Sequence, residues 1–162
     1  MVGPCRNPVM ATWDPPPYDC TKLNFDGSAL GYPGPVGAGG VFRDNNRPYS
    51  ILCRVVGIAD SNTVEVSVLL FGLQFFKERL YGKLIIEGDS KTVTSWCSKD
   101  SSPPWRHWPF TGYIAVIVSS IHCNRNLVPR SANSLPDKLA KFGTSQQSLI
   151  VWEGFPSCKQ FV

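Results

Sequence analysis

Residues 61–82, SNTVEVSVLLFGLQFFKERLYG, decide between an all-β chain and an α/β one. Val64, Val66 and Val68 alternate as in a strand, whereas Val64, Val68, Phe71 and Phe75 recur at helical spacing. The run is far longer than a usual strand, and length favours the helix. Ser61 and Asn62 are good N-caps, and Gly82 is a natural stop. The spacing predicts a helix of about five turns with Glu65 in its first turn.

Upstream, KLNFDGS (22–28) alternates Leu23 and Phe25 with Asn24 and Asp26, the period of a strand with one polar face. The Gly-rich GYPGPVGAGG reads as a turn leading into a strand at VFRD, and Asp44-Asn45-Asn46 closes a hairpin into SILCRVVGIA. Downstream, KLIIEG is a short buried strand with Asp89 at its carboxyl end, and SKTVTSWCSK starts a helix. WRHWPFTGYIAVIVSS follows Pro103-Pro104 as another helix, SIHCNRNLV is a strand, and Asn133 opens a last helix that Gly143 stops. The order is βββαβααβα.

The bulk numbers fit one globular domain of 162 residues with net charge +4 and no Lys/Arg tract. Pro4, Pro8 and Pro15-Pro16-Pro17 make residues 1–19 an arm or linker, ahead of a domain at 20–146 and a tail at 147–162. Six cysteines form no CxxC and no zinc spacing, and read as reduced, mostly buried thiols. No signal-peptide core or glycosylation sequon appears, and the apolar run at 113–118 is too short to cross a bilayer. These features describe an intracellular, nuclear or cytoplasmic protein that is not secreted, makes no membrane contact and is a monomer. The Gly-rich run lacks the Gly-Lys-Ser/Thr of a phosphate loop. His107 reads as a packing or surface residue, Trp105 and Trp108 as core or lid, and Glu87 as a surface carboxylate.

Four carboxylates take special places: Asp26 in the first strand, Glu65 at a helix start, Asp89 at a strand end and Asp137 early in the last helix. None is read as having a helical salt-bridge partner. Crowded carboxylates repel, so if these four meet they meet for a cation. A pair of Mg²⁺ ions about 3.5–4 Å apart, both hard and oxygen-seeking, can clamp the attacking and leaving oxygens of phosphodiester hydrolysis.

The words NFDGS, GAGGVFRD, SNTVEV, LLFGL, IIEGDS and VPRSANSLPDKLAKFG, in that order, resemble the ribonuclease H-like domains common in plants, themselves similar to those of retrotransposon reverse transcriptases. The resemblance spans residues 13–152. It implies a three-layer α/β/α fold, a five-stranded mixed sheet with helices on both faces, and metal-dependent endonucleolytic cleavage of RNA paired to DNA. By position it makes Asp26, Glu65, Asp89 and Asp137 the catalytic and metal-binding set for two Mg²⁺, with Mn²⁺ as a substitute. Asp26 would bridge the ions, Glu65 and Asp89 would hold one, and Asp137 the other. Asn62, Lys91 and Asn133 fall where such domains touch the RNA/DNA hybrid.

Two departures from that pattern stand out. Leu127 occupies the place of a loop histidine ten residues before the last aspartate, which implies slow turnover. Pro136 precedes Asp137, where it biases Leu135 away from helical geometry and would delay the helix. The short segment between Asp89 and Asp137 also leaves no room for an extra basic handle. The rival reading is a catalytically weak or inactive module of the same fold, kept for nucleic-acid or protein binding.

Overall fold

The computed structural model describes residues 12–31, 34–45, 48–58, 60–79, 82–145 and 150–153. Strands β1 (Cys20–Ala29), β2 (Pro35–Arg43), β3 (Pro48–Ile58), β4 (Lys83–Gly88), β5 (Cys123–Leu127) and β6 (Ile150–Glu153) form one mixed sheet in the order β5-β4-β1-β2-β3-β6. β1 pairs antiparallel with β2 and parallel with β4, which pairs parallel with β5. The expected βββαβααβα order is present. β6, in the segment read as a tail, adds a sixth strand antiparallel to β3.

Helix α1 (Ser61–Arg79) lies on one face of the sheet. Its residues Val64, Val66, Val68, Leu69, Leu73, Phe75 and Phe76 are all buried. Together they are too many for one stripe, because α1 packs against β1 and β2 on one side and against α3 (Trp108–Ser120) on the other. That double contact explains why the valines mimic a strand: a helix covered on both sides loses its polar face. Asp60, rather than Ser61 or Asn62, caps the helix, its Oδ1 accepting from the Thr63 backbone N–H at 2.8 Å. Glu65 is the fifth helical residue, just past the first turn.

The opposite face carries α4 (Ser134–Gly143), seated on β2. β2 begins at Pro35, inside the Gly-rich run read as a turn, and α4 supplies the reason. A Cβ on Gly37 would lie 2.0 Å from the Ala140 carbonyl oxygen, and one on Gly39 would lie 2.5 Å from the Ala140 nitrogen. These glycines are strand residues stripped of side chains so that a helix backbone can lie on them. Pro136 does not delay α4: it is buried as the third helical residue, where an N–H would have no intrahelical acceptor anyway.

α2 (Lys91–Cys97) and two short 3₁₀ turns, Trp105–His107 and Arg130–Asn133, complete the described elements. His107 is fully buried, 4.9 Å from Trp96 ring to ring, whereas Trp105 and Trp108 stay exposed and are not core. Cys20, Cys97 and Cys123 are free thiols, with Cys97 buried and the other two half-buried. Cys5, Cys158, Pro4, Pro8, Asn46 and the Cys53 side chain lie outside the described residues. Among the described residues no helix is long and apolar enough to cross a membrane.

Two glycine substitutions should move stability in opposite directions in urea unfolding. Gly39→Ala overpacks the α4 contact and should cost about 2 kcal/mol or more. Gly112→Ala, in α3 with nothing within 4 Å of the added carbon, should gain about 0.5–1 kcal/mol. Equal small effects at both positions would contradict the close α4 packing.

Candidate metal centre

Asp26 lies on β1 opposite Gly39 of β2, and its Oδ1 accepts from the Gly27 N–H at 2.8 Å. Gly27 matters for a second reason: a Cβ there would stand 3.0 Å from the Glu65 Cγ. The missing side chain lets α1 press against β1 and bring Glu65 beside Asp26. Asp89 follows the last residue of β4. Ser90 takes the capping duty for α2, its hydroxyl accepting from the Val93 N–H at 3.2 Å, so Asp89 is not needed as a cap. The Ser90 hydroxyl also hydrogen-bonds Glu65.

One ligand atom from each of Asp26, Glu65 and Asp89 comes within 4.8 Å of the others. Asp26 and Glu65 are buried and Asp89 is half-buried. Burial, reinforced by the Asp89 charge, pushes the Asp26 carboxyl up to about 7. Burial also pushes Glu65 up to about 8, against the lowering effect of Ser90. Asp89 is raised too, chiefly by burial, while Arg130 pulls it down. Glu65 Oε2 is buried and has no hydrogen-bond partner. A buried, unpartnered oxygen on one of three clustered carboxyls suits a hard divalent cation, so the residues fit Mg²⁺ or Mn²⁺.

An open cleft of about 710 Å³ leads to this cluster, lined also by Gly27, Ser61, Asn62, Ser90, Leu127, Val128, Pro129 and Arg130. Asn62 is therefore on the cleft wall. Lys91 is exposed at the start of α2, next to Ser90 but off the lining. Asn133 is not available to a ligand: it is fully buried, donating from Nδ2 to the Phe25 carbonyl at 2.9 Å. Asp137 stays outside the three-carboxylate cluster, ion-paired to Lys141 at 2.7 Å and Arg130 at 3.7 Å. Lys141 is the helical partner, four residues on, that the sequence reading overlooks. That reading also passes over Arg130, although it sits in the VPRSAN word three residues after Leu127.

Glu87 is neither a ligand nor a surface residue. It is buried, held by Lys22 Nζ and by Asn24 Nδ2, each at 2.7 Å. Asn24 Oδ1 in turn accepts from Arg43 at 2.8 Å and from the Trp13 indole at 3.0 Å. Trp13, in the segment read as an arm, is thus docked on the sheet.

A family model described as reverse transcriptase-like matches residues 24–143. The chain belongs to the reverse transcriptase-like family. No curated protein matches this family member in sequence. Among solved structures it is similar to RNase H1 of Halobacterium salinarum, with 20% identity, TM-score 0.71, and coverage of 76% of this chain and 96% of that one. It is also similar to compost-derived LC11-RNase H1 in complex with RNA/DNA hybrid, with 22% identity, TM-score 0.69 and coverage of 76% and 96%. The RNase H domain of prototype foamy virus matches at 18% identity and TM-score 0.63, covering 76% and 93%. These likenesses establish that the reverse transcriptase-like chain has the ribonuclease H fold.

The raised carboxyls give the metal-free protein a defined pH response. Their folded values of about 7 and about 8 lie above the ordinary 3.8 and 4.5, so the folded state holds protons that the unfolded state releases. Stability is complete below the ordinary values and is lost as pH rises through the shifted ones. Between pH about 5 and about 8 the metal-free melting temperature should fall by on the order of 10–20 °C. The decline should be shallower in Glu65→Gln. A flat profile would show that these carboxyls ionise freely.

Proposed function

We propose that this chain is a divalent-metal-dependent endonuclease that hydrolyses the RNA strand of an RNA/DNA hybrid. The observation that carries the reading is the unpartnered, buried Glu65 Oε2 within a cluster of three carboxyls at the floor of an open cleft. Asp26, Glu65 and Asp89 would hold one ion, and Asp137 together with Asp26 a second. Mg²⁺ or Mn²⁺ bound there supplies polarisation of the scissile phosphate and a lowered pKa for the attacking water. The residues themselves place the strand. Asn62 offers an amide from the cleft wall to a 2′-hydroxyl or base edge, and exposed Lys91 offers charge to a neighbouring phosphate. Asn133 supports the site indirectly by tying its backbone to β1 at Phe25.

Leu127 is 51% exposed and lines the cleft, so the loop histidine expected there is replaced by a side chain that moves no proton. Slow turnover follows from that replacement. The position of Asp137 outside the cluster favours a second reading, a binding module that has lost activity.

Labelled RNA/DNA hybrid, duplex RNA and duplex DNA incubated with Mg²⁺ or Mn²⁺ separate the two. The enzyme reading expects cleavage of RNA in the hybrid alone, lost by about 100-fold or more in Asp89→Asn. Leu127→His should raise the rate by about tenfold. Hybrid binding without cleavage, and no Mg²⁺ uptake by calorimetry even with hybrid present, would establish the binding module instead. Cleavage that survives Asp89→Asn would sink the site assignment.

A further inference from the structure

Two cations account for where Asp137 stands, and they differ in kind. Lys141 belongs to the same helix, one turn along, and its pair with Asp137 Oδ2 is a local helical contact. Arg130 comes from the 3₁₀ turn ahead of α4, lies 3.7 Å from Asp137 Oδ1, and lines the cleft together with Asp26, Glu65 and Asp89. Leu127, Val128 and Pro129 precede it on the same wall, so Arg130 is the one charged group this loop presents to the cleft. Its side chain is 78% exposed and free to swing. A guanidinium stays charged at any working pH and pairs equally well with carboxylate and phosphate.

We propose, on the basis of the metal-dependent reading above, that Arg130 is an exchangeable counter-cation. It pairs with Asp137 while the second metal position is empty, gives up that carboxylate when an ion arrives, and then pairs with a phosphate of the bound strand. The two metal positions are consequently unequal. Among the described residues the Asp26–Glu65–Asp89 position has no ion pair to break and gives up only its protons, whereas an ion at the second position would also have to separate Asp137 from Arg130. The exchange keeps the cleft from accumulating uncompensated charge in either state. Arg130 makes no ion pair with Asp26, Glu65 or Asp89, and its charge lowers all three only through space, so its one direct carboxylate partner among the described residues is Asp137.

Calorimetric titration of the full chain with Mn²⁺ tests the first half of the exchange. The wild type should bind in two resolved steps, and Arg130→Gln should tighten the second step by about three- to fivefold, clearly more than the first, which feels the Arg130 charge only through space. Hybrid affinity measured against salt in Ca²⁺ tests the second half: Arg130→Gln should reduce the log–log slope by about 1, and Arg130→Lys should restore it. Equal tightening of both steps would mean that Arg130 acts only through its diffuse field, and an unchanged salt slope would mean that it meets no phosphate. Either result overturns the exchange and leaves the metal site standing. Absence of any Mn²⁺ uptake by the wild type, with or without hybrid, overturns the metal reading and the exchange together.

Discussion

Asp26, Glu65 and Asp89 are held with ligand atoms within 4.8 Å of one another, at a depth where water screens them poorly. At an effective dielectric near 20, two like charges at that distance repel by on the order of 3–4 kcal/mol. Three such pairs approach the whole stability of a typical domain, about 5–15 kcal/mol. The cluster therefore cannot be fully ionised and bare. Protons relieve it in the metal-free protein, which is why burial and mutual repulsion move Asp26 and Glu65 toward neutral pH. A divalent cation relieves it more completely, and cation uptake must expel those protons. Metal affinity and pH are thus coupled by the same repulsion.

A short distance along the same face of β1, the chain buries another carboxylate in the opposite way. Glu87 has Lys22 and Asn24 at hydrogen-bond distance, and Asn24 is itself held by Arg43 and Trp13. Removing one partner from such a network costs about 3–5 kcal/mol, so it pins β1, β2 and β4 in register. Asn133 extends it to the base of α4 through Asn24 and Phe25. The contrast is informative: where structure alone is served, buried charge is matched, and at the end of β1 it is left unmatched. An uncompensated cluster beside a compensated one is the arrangement that the proposed metal binding requires.

The elements and the three-carboxylate floor were legible in the sequence because period and punctuation carry them. Leu23 and Phe25 against Asn24 and Asp26 announce a strand, and the residue after Gly88 announces a strand end. What was not legible depends on contacts across the chain. The strand character of Gly37 and Gly39 exists only because α4 lies on them, some hundred residues away. β6 is a strand because β3 offers it an edge. The burial of Glu87 and Asn133 likewise needs partners from β1. Lys141 is different: its spacing from Asp137 was readable, and the polar pattern of the helix hid it.

The fourth carboxylate raises a question of cause, since a displaced aspartate can reflect a misplaced helix or a competing charge. Pro136 would be the reason for a misplaced helix, yet α4 starts two residues before it and packs its backbone directly on Gly37 and Gly39. Leu139 meets Val41 in a small, fully buried apolar cluster beneath the helix. α4 is thus seated as the fold requires, and its first turn carries Asp137 to the edge of the cluster, close enough for its charge to raise Asp26 and Asp89. There the carboxyl is paired with Lys141 and Arg130, both on exposed side chains. Exposed ion pairs are worth roughly 1 kcal/mol or less each. A separation of that origin would yield to a divalent cation, as the proposed exchange requires, whereas one imposed by backbone geometry would not.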